Sequence, residues 1–302
     1  MPLVDVVVVS YNSASTLRAC VEELAASDYT HVIVVDNGST DDSLAVVADL
    51  EVEGLAQANR GFAAGCNAGW RAGEAPYVLF LNPDATIDVE SILRLVRVLE
   101  QEDGAGAVAP KILEGDGSLD FSLRRFPRVR STLSQAFFLH RLFPRARWTD
   151  EVIREPERYE RPGVADWVSG ACILARRGVL EELGGLDEGF FMYCEDKDLC
   201  RRIWTSGREV RYEPDAVVVH HGGVSAPRAS LLPVMAASRI RYARKHLRAP
   251  LALVERLAVS LLALTHVIVS RGGRARRAGH AAALLVALGL RSPAYPRRVK
   301  PS

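Results

Sequence analysis

The segment VDVVVVSYN, residues 4–12, is a nearly continuous apolar run that stops at three polar residues. Two later segments, HVIVVDNGSTD (31–41) and YVLFLNPDA (77–85), follow the same plan. Apolar runs of this length are typical of strands that are buried on both faces of a parallel sheet. Because the carboxyl ends of parallel strands meet at one edge, the polar residues that end each run predict a binding crevice at that edge.

Helical patterns alternate with these runs. They cover SASTLRACVEELAA (13–26), DDSLAVVADL (41–50), NRGFAAGCNAGWRAG (59–73) and the amphipathic segment DVESILRLVRVLEQ (88–101). The resulting βαβαβα layout, with right-handed crossovers, predicts an α/β fold with a doubly wound sheet. Residues 115–165 are rich in Arg, Pro and aromatic residues and predict an irregular insertion.

Composition narrows the class of protein. The chain has 302 residues, 48% of them hydrophobic and 25% charged, and can bury one large globular core. Its five cysteines form no C-x-x-C pair, so we expect neither a disulfide framework nor a zinc site, and a cytosolic setting fits best. No basic residues precede the first apolar run, which contains Asp5, and this indicates a strand rather than a signal peptide.

Charge is distributed unevenly although the net charge is only +1. Residues 239–302 hold 14 Lys and Arg against one acid, which leaves 24 bases and 36 acids in residues 1–238. The basic part also contains two apolar runs, 257–269 and 281–290, each shorter than the roughly 20 residues that span a bilayer. We expect interfacial helices on an anionic membrane surface. The alternative is a set of helices that pack on the body with a solvated basic face, and no nucleic-acid partner is expected.

The strand ends supply candidate ligands for a nucleotide and a metal ion. The first strand ends in Ser10, Tyr11 and Asn12, and Tyr11 could stack on a base. Asp36 could accept a hydrogen bond from a base, or could only cap a turn. Asp84 could hold a divalent cation against a diphosphate, or Asn82-Pro83-Asp84 could only end a strand. Because the chain has neither G-x-G-x-x-G after its first strand nor a P-loop motif, dinucleotide dehydrogenases and P-loop enzymes are excluded.

Two further motifs predict catalytic chemistry. In FFMYCEDKDLCRR (190–202), an aromatic run stops at Glu195 and Asp196, which begin a helical pattern. They could be acids favoured by the helix dipole, but the apolar segments on either side favour a carboxylate base in a water-poor pocket. His220 and His221 follow another strand and could join a metal site, and alternation along the strand allows at most one of them to reach it.

Six motifs, taken in order, resemble those of a known protein family: VVVVSYN, VVDNGSTDDS, NRGFAAGCNAG, LFLNPDA, the long segment 167–203 and VVVHHGG. In this order and spacing the chain resembles the family 2 inverting glycosyltransferases, in particular their bacterial rhamnosyltransferase-like branch, over roughly residues 3–245. The resemblance implies a GT-A fold with a Rossmann-like mixed sheet, a nucleoside-diphosphate sugar donor, and Mg²⁺ or Mn²⁺.

The resemblance also implies roles for individual residues. Asp196 corresponds to the catalytic base, with Glu195 in reserve. Asp84 corresponds to the last acid of the family's metal-binding D-x-D motif, and the chain departs from that motif because position 82 is Asn. The implied donor-side residues are Ser10, Tyr11, Asn12, Asp36, Asn59, Arg60, Gly61, Asn67, Asn82 and Asp84. The implied acceptor-side residues are Trp167, Ser169 and Gly170, and the implied metal ligands are Asp84 with His220 or His221.

The activity expected from the resemblance is transfer of L-rhamnose, with inversion, from dTDP-L-rhamnose to a polyprenyl-diphosphate-linked or other cell-surface saccharide. The enzyme would lie on the cytoplasmic face of the membrane and serve cell-wall or polysaccharide assembly. One alternative is a UDP-hexose donor. The other is a non-catalytic nucleotide-sugar-binding module, and Asn82 in place of the first acid of the D-x-D motif is the feature that supports it. The expected domains are a GT-A domain over 1–238, with a donor half to about 114 and an acceptor half from about 115, and a helical membrane-associating extension over 239–302.

Overall fold

The computed structural model describes residues 1–143, 146–222, 228–269, 273–293 and 295. The strands, in chain order, are β1 (Val4–Ser10), β2 (Thr30–Asp36), β3 (Val52–Ala56), β4 (Tyr77–Leu81), β5 (Ala85–Ile87), β6 (Ala105–Glu114), β7 (Leu123–Arg124), β8 (Gly163–Val164), β9 (Trp167–Val168), β10 (Cys172–Arg176) and β11 (Glu209–His220). The α-helices are α1 (Ala14–Ala25), α2 (Phe62–Ala72), α3 (Val89–Gln101), α4 (Val129–Ala136), α5 (Leu139–Leu142), α6 (Arg177–Leu183), α7 (Glu195–Thr205), α8 (Arg228–His246), α9 (Ala249–Val269) and α10 (Gly273–Leu288).

The central sheet is mixed, and its strand order is β3-β2-β1-β4-β10-β6-β11-β5, with β8 paired to β11. Strands β3, β2, β1 and β4 are parallel, and so are β6 and β11, whereas β10 runs antiparallel to both of its neighbours. The short strands β7 and β9 form a separate pair. The predicted α/β fold with a mixed sheet is therefore confirmed.

The first strand shows why its apolar run forms a central strand. All seven residues of β1 are buried, and alternate side chains enter cores on opposite faces of the sheet. Val4, Val6 and Val8 share one core with α1 and α3, whereas Val7 and Val9 share the other with α2 and α7. Helices on both faces leave the edge formed by the carboxyl ends of the strands for the functional site.

One predicted helix is absent from the described residues: 41–50 contains only a 3₁₀ turn, Ala45–Val47, and is followed by the unpredicted strand β3. The physical reason lies in the side chains of Asp41 and Ser43. The Asp41 carboxylate accepts a hydrogen bond from the Ala14 amide at 3.0 Å, and the Ser43 hydroxyl accepts one from the Ser13 amide at 2.9 Å. The segment therefore caps the free amides at the start of α1 instead of forming its own helix.

Helices α8, α9 and α10 pack on one another through small and branched residues, and α4 packs on α9. The predicted domain boundary between residues 238 and 239 falls inside α8, so the structure does not divide the chain there. Among the described residues, only α9 is long and apolar enough to cross a membrane by length and composition, with a mean hydropathy of 1.8. Its 21 residues exceed the predicted apolar run because the helix begins at Ala249.

Candidate active site

A cavity of about 500 Å³ opens at the edge where the parallel strands end. Residues at or just after the ends of β1, β2, β4, β6 and β11 line it, together with the segments that precede β10 and α7. The predicted site residues that line it are Tyr11, Asn59, Gly61, Asn82, Asp84, Ser169, Gly170, Glu195, Asp196 and His220. The structure thus brings together residues that lie up to about 200 positions apart in the sequence.

Gly61 shows how the loop after β3 reaches this cavity. Its φ of +101° lies in the region that favours glycine, and a side chain there would collide with the backbone of Phe191. The close approach allows the Phe62 amide to donate to the Phe191 carbonyl at 2.7 Å, while Asn37 donates to the Gly61 carbonyl at 3.0 Å. The loop is therefore fixed between the end of β2 and the segment before α7.

Two predicted donor-side residues are buried beside the cavity rather than in its wall. Asp36 accepts a hydrogen bond from the Ser39 amide at 3.1 Å through Oδ2. Its Oδ1, like the Oγ of Ser10, is buried and has no hydrogen-bond partner among the described residues. Unpaired buried oxygen atoms are rare in folded proteins, and both of these oxygen atoms lack a partner that the described residues could supply.

Arg60 and Asn67, also predicted to bind the donor, lie outside the cavity wall. Arg60 pairs with Glu188 at 2.7 Å. The Asn67 amide donates to the Leu186 carbonyl at 2.8 Å and accepts from the Trp70 indole at 3.0 Å. Both side chains therefore hold the segment after α6 against α2, a structural role that the spacing of residues in the motif did not reveal.

Asn12, Trp167 and His221 support the site from outside its wall. Asn12 accepts a hydrogen bond from the Thr40 amide at 2.8 Å, and the Trp167 indole donates to the Arg125 carbonyl at 2.9 Å. The exposed His221 donates its backbone amide to the Asp84 carbonyl at 2.9 Å. His220 lines the cavity and His221 does not, because neighbouring residues at a strand end point in different directions.

Asp84 and His220 form a polar pair at the ends of β4 and β11. His220 Nε2 lies 3.2 Å from Asp84 Oδ1 and 3.3 Å from the amide nitrogen of Asn82. The hydrogen bond to Asp84 raises the pKa of His220 against the opposing effect of burial. Within the described residues, no three His, Cys, Asp or Glu side chains are grouped as metal ligands.

The pair nevertheless fits a divalent cation that is shared with a substrate. Magnesium is commonly held by one or two protein carboxylates together with substrate phosphates, not by a complete protein cage. Asp84 Oδ1 would supply the hard oxygen ligand that suits magnesium or manganese, and neutral His220 would supply a nitrogen ligand beside it. Asn82 would add at most a neutral amide oxygen, which is a weaker ligand than the carboxylate of a full D-x-D motif.

Glu195 and Asp196 begin α7 and face the same cavity. Positive φ angles of 69° at both Tyr193 and Cys194 turn the chain sharply just before the helix. Asp196 Oδ2 then accepts a hydrogen bond from the Gly170 amide at 3.0 Å, and Oδ1 accepts one from the Lys197 amide at 2.7 Å. A side chain at Gly170 would crowd the Asp196 carboxyl group, so this contact depends on glycine.

The two carboxyl groups differ in their electrostatics. Burial raises the pKa of Glu195 to about 8, and repulsion from Asp196 adds to this shift. Burial also raises the pKa of Asp196, but the amides of Lys197 and Gly170 oppose the shift. The two amides that hold its carboxylate make Asp196 the better-oriented of the two carboxyl groups to accept a proton.

The structure adds cavity residues that sequence analysis did not single out. Glu114 ends β6, and the rule that selected Asp36 and Asp84 would have found it if β6 had been recognised as a strand of the sheet. Asp120 has no comparable signal, because it lies in an irregular segment. Leu231 reaches the cavity from α8, which the sequence assigned partly to a separate extension.

Comparisons with known proteins agree with this geometry. The model of the family described as glycosyl transferase family 2 matches residues 5–184. The N-acetylglucosaminyl-diphospho-decaprenol L-rhamnosyltransferase of Mycobacterium tuberculosis is 34% identical over 75% of this chain and 78% of its own. The rhamnosyltransferase WbbL of Escherichia coli is 28% identical over 72% of this chain and 83% of its own.

Among solved structures, a mannosyltransferase from Pyrobaculum calidifontis in complex with GDP-mannose and Mn²⁺ superimposes with a TM-score of 0.58. The two chains are 19% identical, and the match covers 95% of this chain and 87% of the other. At that identity the likeness shows the fold alone. The chain therefore belongs to glycosyl transferase family 2, and it is a glycosyltransferase with the GT-A fold.

Proposed function

We propose that this enzyme transfers L-rhamnose from dTDP-L-rhamnose, with inversion, to a saccharide carried on a polyprenyl diphosphate. The observation that carries the proposal is that Asp196 lines the same 500 Å³ cavity as the Asp84–His220 pair. A proton acceptor and a candidate cation site thus face one space that is large enough for a sugar. The names of the two relatives, both rhamnosyltransferases and one acting on a decaprenol-linked substrate, support the choice of sugar and acceptor.

The donor would bind along the carboxyl ends of β1, β2 and β4. The unpaired Oδ1 of Asp36 would accept the imide N–H of thymine, and Tyr11 would contact the base from the cavity wall. Asp84 and His220 would hold Mg²⁺ or Mn²⁺ against the diphosphate. When bound, the cation offsets the negative charge that develops on the departing nucleoside diphosphate.

The acceptor hydroxyl would approach Asp196 past Ser169 and Gly170. Its oxygen attacks C1 of the sugar as Asp196 accepts the hydroxyl proton, and the bond from C1 to the diphosphate breaks on the opposite face. The configuration at C1 inverts in this single displacement. The backbone amides of Gly170 and Lys197 keep the Asp196 carboxylate oriented toward the cavity, and neutral Glu195 avoids a second negative charge beside it.

A UDP-hexose donor is the second candidate, and a specific observation favours keeping it. Uracil carries the same imide N–H as thymine, so the unpaired oxygen of Asp36 would serve both bases equally. A non-catalytic nucleotide-sugar-binding module has less support. The buried Glu195–Asp196 pair costs stability that pure binding would not require.

We further propose that the enzyme is peripheral on the cytoplasmic face of the membrane, with α8, α9 and α10 as the membrane-associating part. Helix α9 exposes Leu253 and Leu257, which are 58% and 59% accessible. Its Glu255 is buried against the protein, where it accepts a hydrogen bond from Thr132 at 2.6 Å and lies 3.7 Å from Arg239. This buried contact with the body favours a helix that lies on the membrane over one that crosses it.

Calorimetry with dTDP, dTDP-rhamnose, UDP and UDP-glucose, each with and without Mn²⁺, tests the donor side. We expect metal-enhanced binding of the thymidine pair, followed by transfer to a polyprenyl-diphosphate-linked N-acetylglucosamine in a product assay. Stronger binding of UDP and UDP-glucose would indicate a UDP-hexose donor instead of dTDP-rhamnose. If the protein bound a donor but transferred its sugar neither to an acceptor nor to water, it would be a nucleotide-sugar-binding module.

A further inference from the structure

A second cavity, of about 810 Å³, lies between α8, α9 and α10 and the segment that follows α6. Among the described residues, none that lines it also lines the active-site cavity. Its charged residues are five cations and one carboxylate: Arg241, Arg244, Lys245, Arg256, Arg291 and Asp187. The cavity therefore combines a size suited to a small ligand with a strong excess of positive charge.

Part of this positive charge is used within the protein. Asp187 pairs with Arg241 at 3.0 Å and with Lys245 at 2.7 Å, and Arg256 donates to the Ala287 carbonyl at 2.7 Å, where it caps α10. In contrast, neither Arg244 nor Arg291 has a hydrogen-bond or ion-pair partner in the part of the chain that the structure describes. Two exposed guanidinium groups at one cavity thus remain available to an anion.

The remaining wall is apolar, and this narrows the class of anion. Ile240 and Val286 line the cavity as buried side chains, and Leu290 lines it as an exposed one. Leu253 and Leu257 are exposed on the same helix as Arg256. A phosphate group attached to a hydrocarbon chain would meet both surfaces, whereas a free sugar phosphate would leave the apolar part without a partner.

The two cavities are joined by one short segment of chain. Asp187 lines the basic cavity, while Phe191, Met192 and Tyr193 line the active-site cavity. Between them, the Phe190 ring is buried 5.2 Å from the Arg241 guanidinium. A ligand in the basic cavity would therefore lie against the same segment that positions Glu195 and Asp196.

We propose that the basic cavity binds the phosphate or diphosphate group of a membrane amphiphile through Arg244 and Arg291. The chemistry is shared by two sources, a polyprenyl phosphate and an anionic phospholipid. The site does not depend on the identity of the donor sugar, because none of its residues lies in the active-site cavity.

The test uses the full chain and the double variant Arg244→Gln/Arg291→Gln. The probes are inorganic diphosphate, phosphatidylcholine vesicles that contain undecaprenyl phosphate, and phosphatidylcholine vesicles that contain phosphatidylglycerol. We expect saturable binding to at least one anionic vesicle, weakened by about tenfold or more in the variant. Inorganic diphosphate should compete with the vesicles for the wild-type protein, because it presents the same phosphate oxygens.

A matched control, Arg274→Gln/Arg276→Gln, removes two exposed positive charges from α10 outside the cavity. An equal loss in both double variants would overturn the proposal, because the effect would then belong to surface charge in general. Wild-type binding that never saturates would overturn it as well. Stronger binding of the undecaprenyl phosphate vesicles would identify an acceptor-type lipid, and stronger binding of the phosphatidylglycerol vesicles a bulk lipid headgroup. Calorimetry of donor binding distinguishes failure of this proposal from failure of the proposed function. We expect the Arg244→Gln/Arg291→Gln variant to bind the donor as the wild type does.

Discussion

The active-site cavity and the basic cavity lie on either side of one segment and have opposite charge. Among the described residues, the first is lined by five carboxyl groups and one imidazole, and the second by five cations and one carboxylate. An acidic lining repels a diphosphate unless a cation lies between them, whereas a diphosphate can bind arginine directly. A departing phosphate and a phosphate that only anchors a ligand therefore require different surroundings.

Burying the carboxyl groups of the active-site cavity is energetically unfavourable, and this favours a catalytic role for them. A carboxylate accepts a proton effectively when water is excluded and its pKa is raised toward the working pH. Both carboxyl groups of the Glu195–Asp196 pair are buried, and burial raises the pKa of each. The basic cavity places its free arginines in solvent, where charge costs little.

The largest expected effect comes from removing the base. Asp196→Asn keeps the shape of the side chain but cannot accept the hydroxyl proton. We expect turnover to fall by about 10²- to 10⁴-fold. Donor binding should remain within a few-fold of the wild-type value, because the donor contacts other parts of the cavity. Product formation and calorimetry measure the two quantities.

Asp215→Asn, at an exposed position of β11, is the matched control and should leave both quantities unchanged. If Asp196→Asn retained wild-type turnover, Glu195 would become the candidate base. The charge distribution described for the pair would then be wrong.

The next effect concerns stability and its pH dependence. The ordinary pKa of Glu195 is 4.5, and burial raises it to about 8 in the folded chain. The folded state therefore binds more protons than the unfolded state between these values. The stability that neutral Glu195 contributes is complete below pH 4.5 and is lost as the pH rises through about 8.

Glu195→Gln cannot ionise, so it should not show this loss. We expect the variant to be more stable than the wild type by roughly 5 kcal/mol above pH 8, with the difference vanishing at acid pH. Urea unfolding over that pH range measures it, and the exposed Glu181→Gln serves as the control. Parallel stability curves for wild type and Glu195→Gln would show that Glu195 is ionised in the folded protein.

Asp198 on α7, which contacts Lys245 of the basic cavity at 2.8 Å, should respond to pH in the opposite sense. Burial alone would raise the pKa of Asp198, but hydrogen bonds from His246, Lys245 and Arg202 hold it at about 2. The contribution of Asp198 is thus complete above its ordinary value of 3.8 and is lost as the pH falls through about 2. Acid therefore weakens the contact between α7 and α8, whereas alkali weakens the active-site cavity.

A third prediction concerns the candidate cation site. Asp84→Asn should weaken metal-dependent donor binding by roughly 10- to 100-fold, because Asp84 is the carboxylate of the Asp84–His220 pair. Asn82→Asp should act in the opposite direction, since it adds a second carboxylate beside the first. Calorimetry with Mn²⁺ and the nucleoside diphosphate compares the variants with the wild type. Equal affinities in all three proteins would show that Asp84 and the residue at position 82 do not bind the cation.

The sequence predicted the position of a residue only where its pattern carries a clear physical signal. The donor half was readable because buried parallel strands need continuous apolar runs and because their carboxyl ends meet at one edge. Tyr11 and Asp84 are at the cavity wall for that reason. Asn67 was misplaced because a motif does not show which way a helical side chain points. In the structure its amide is already satisfied by Leu186 and Trp70.

The C-terminal helices were harder to predict. Their basic and apolar composition indicates a membrane surface but does not show how three helices enclose a cavity. Arg244 and Arg291 lie 47 positions apart, and only packing of α8 on α10 brings them to one wall. Leu231 in the active-site cavity could not be predicted either, because the sequence does not show which residues of α8 face the cavity.

The last variant tests whether the surface beside the basic cavity contacts a membrane, and its effect should be the smallest. Leu253→Ala/Leu257→Ala removes exposed apolar surface beside Arg256 without changing charge. We expect vesicle binding to weaken by about tenfold, since each truncation removes roughly 1 to 2 kcal/mol of apolar burial and the side chains bury only in part. Tyr29→Ala, an exposed residue of the donor half, is the control.

The dependence on salt then separates the two contributions to membrane binding. Apolar contacts are little affected by ionic strength, whereas attraction between arginine and anionic lipid is screened. The binding that remains in Leu253→Ala/Leu257→Ala should therefore keep the salt dependence of the wild type, because its arginines are unchanged. The binding that remains in Arg244→Gln/Arg291→Gln should decline less steeply with salt. If all three proteins showed one common slope, the arginines of the basic cavity would not contact the membrane that the apolar face contacts.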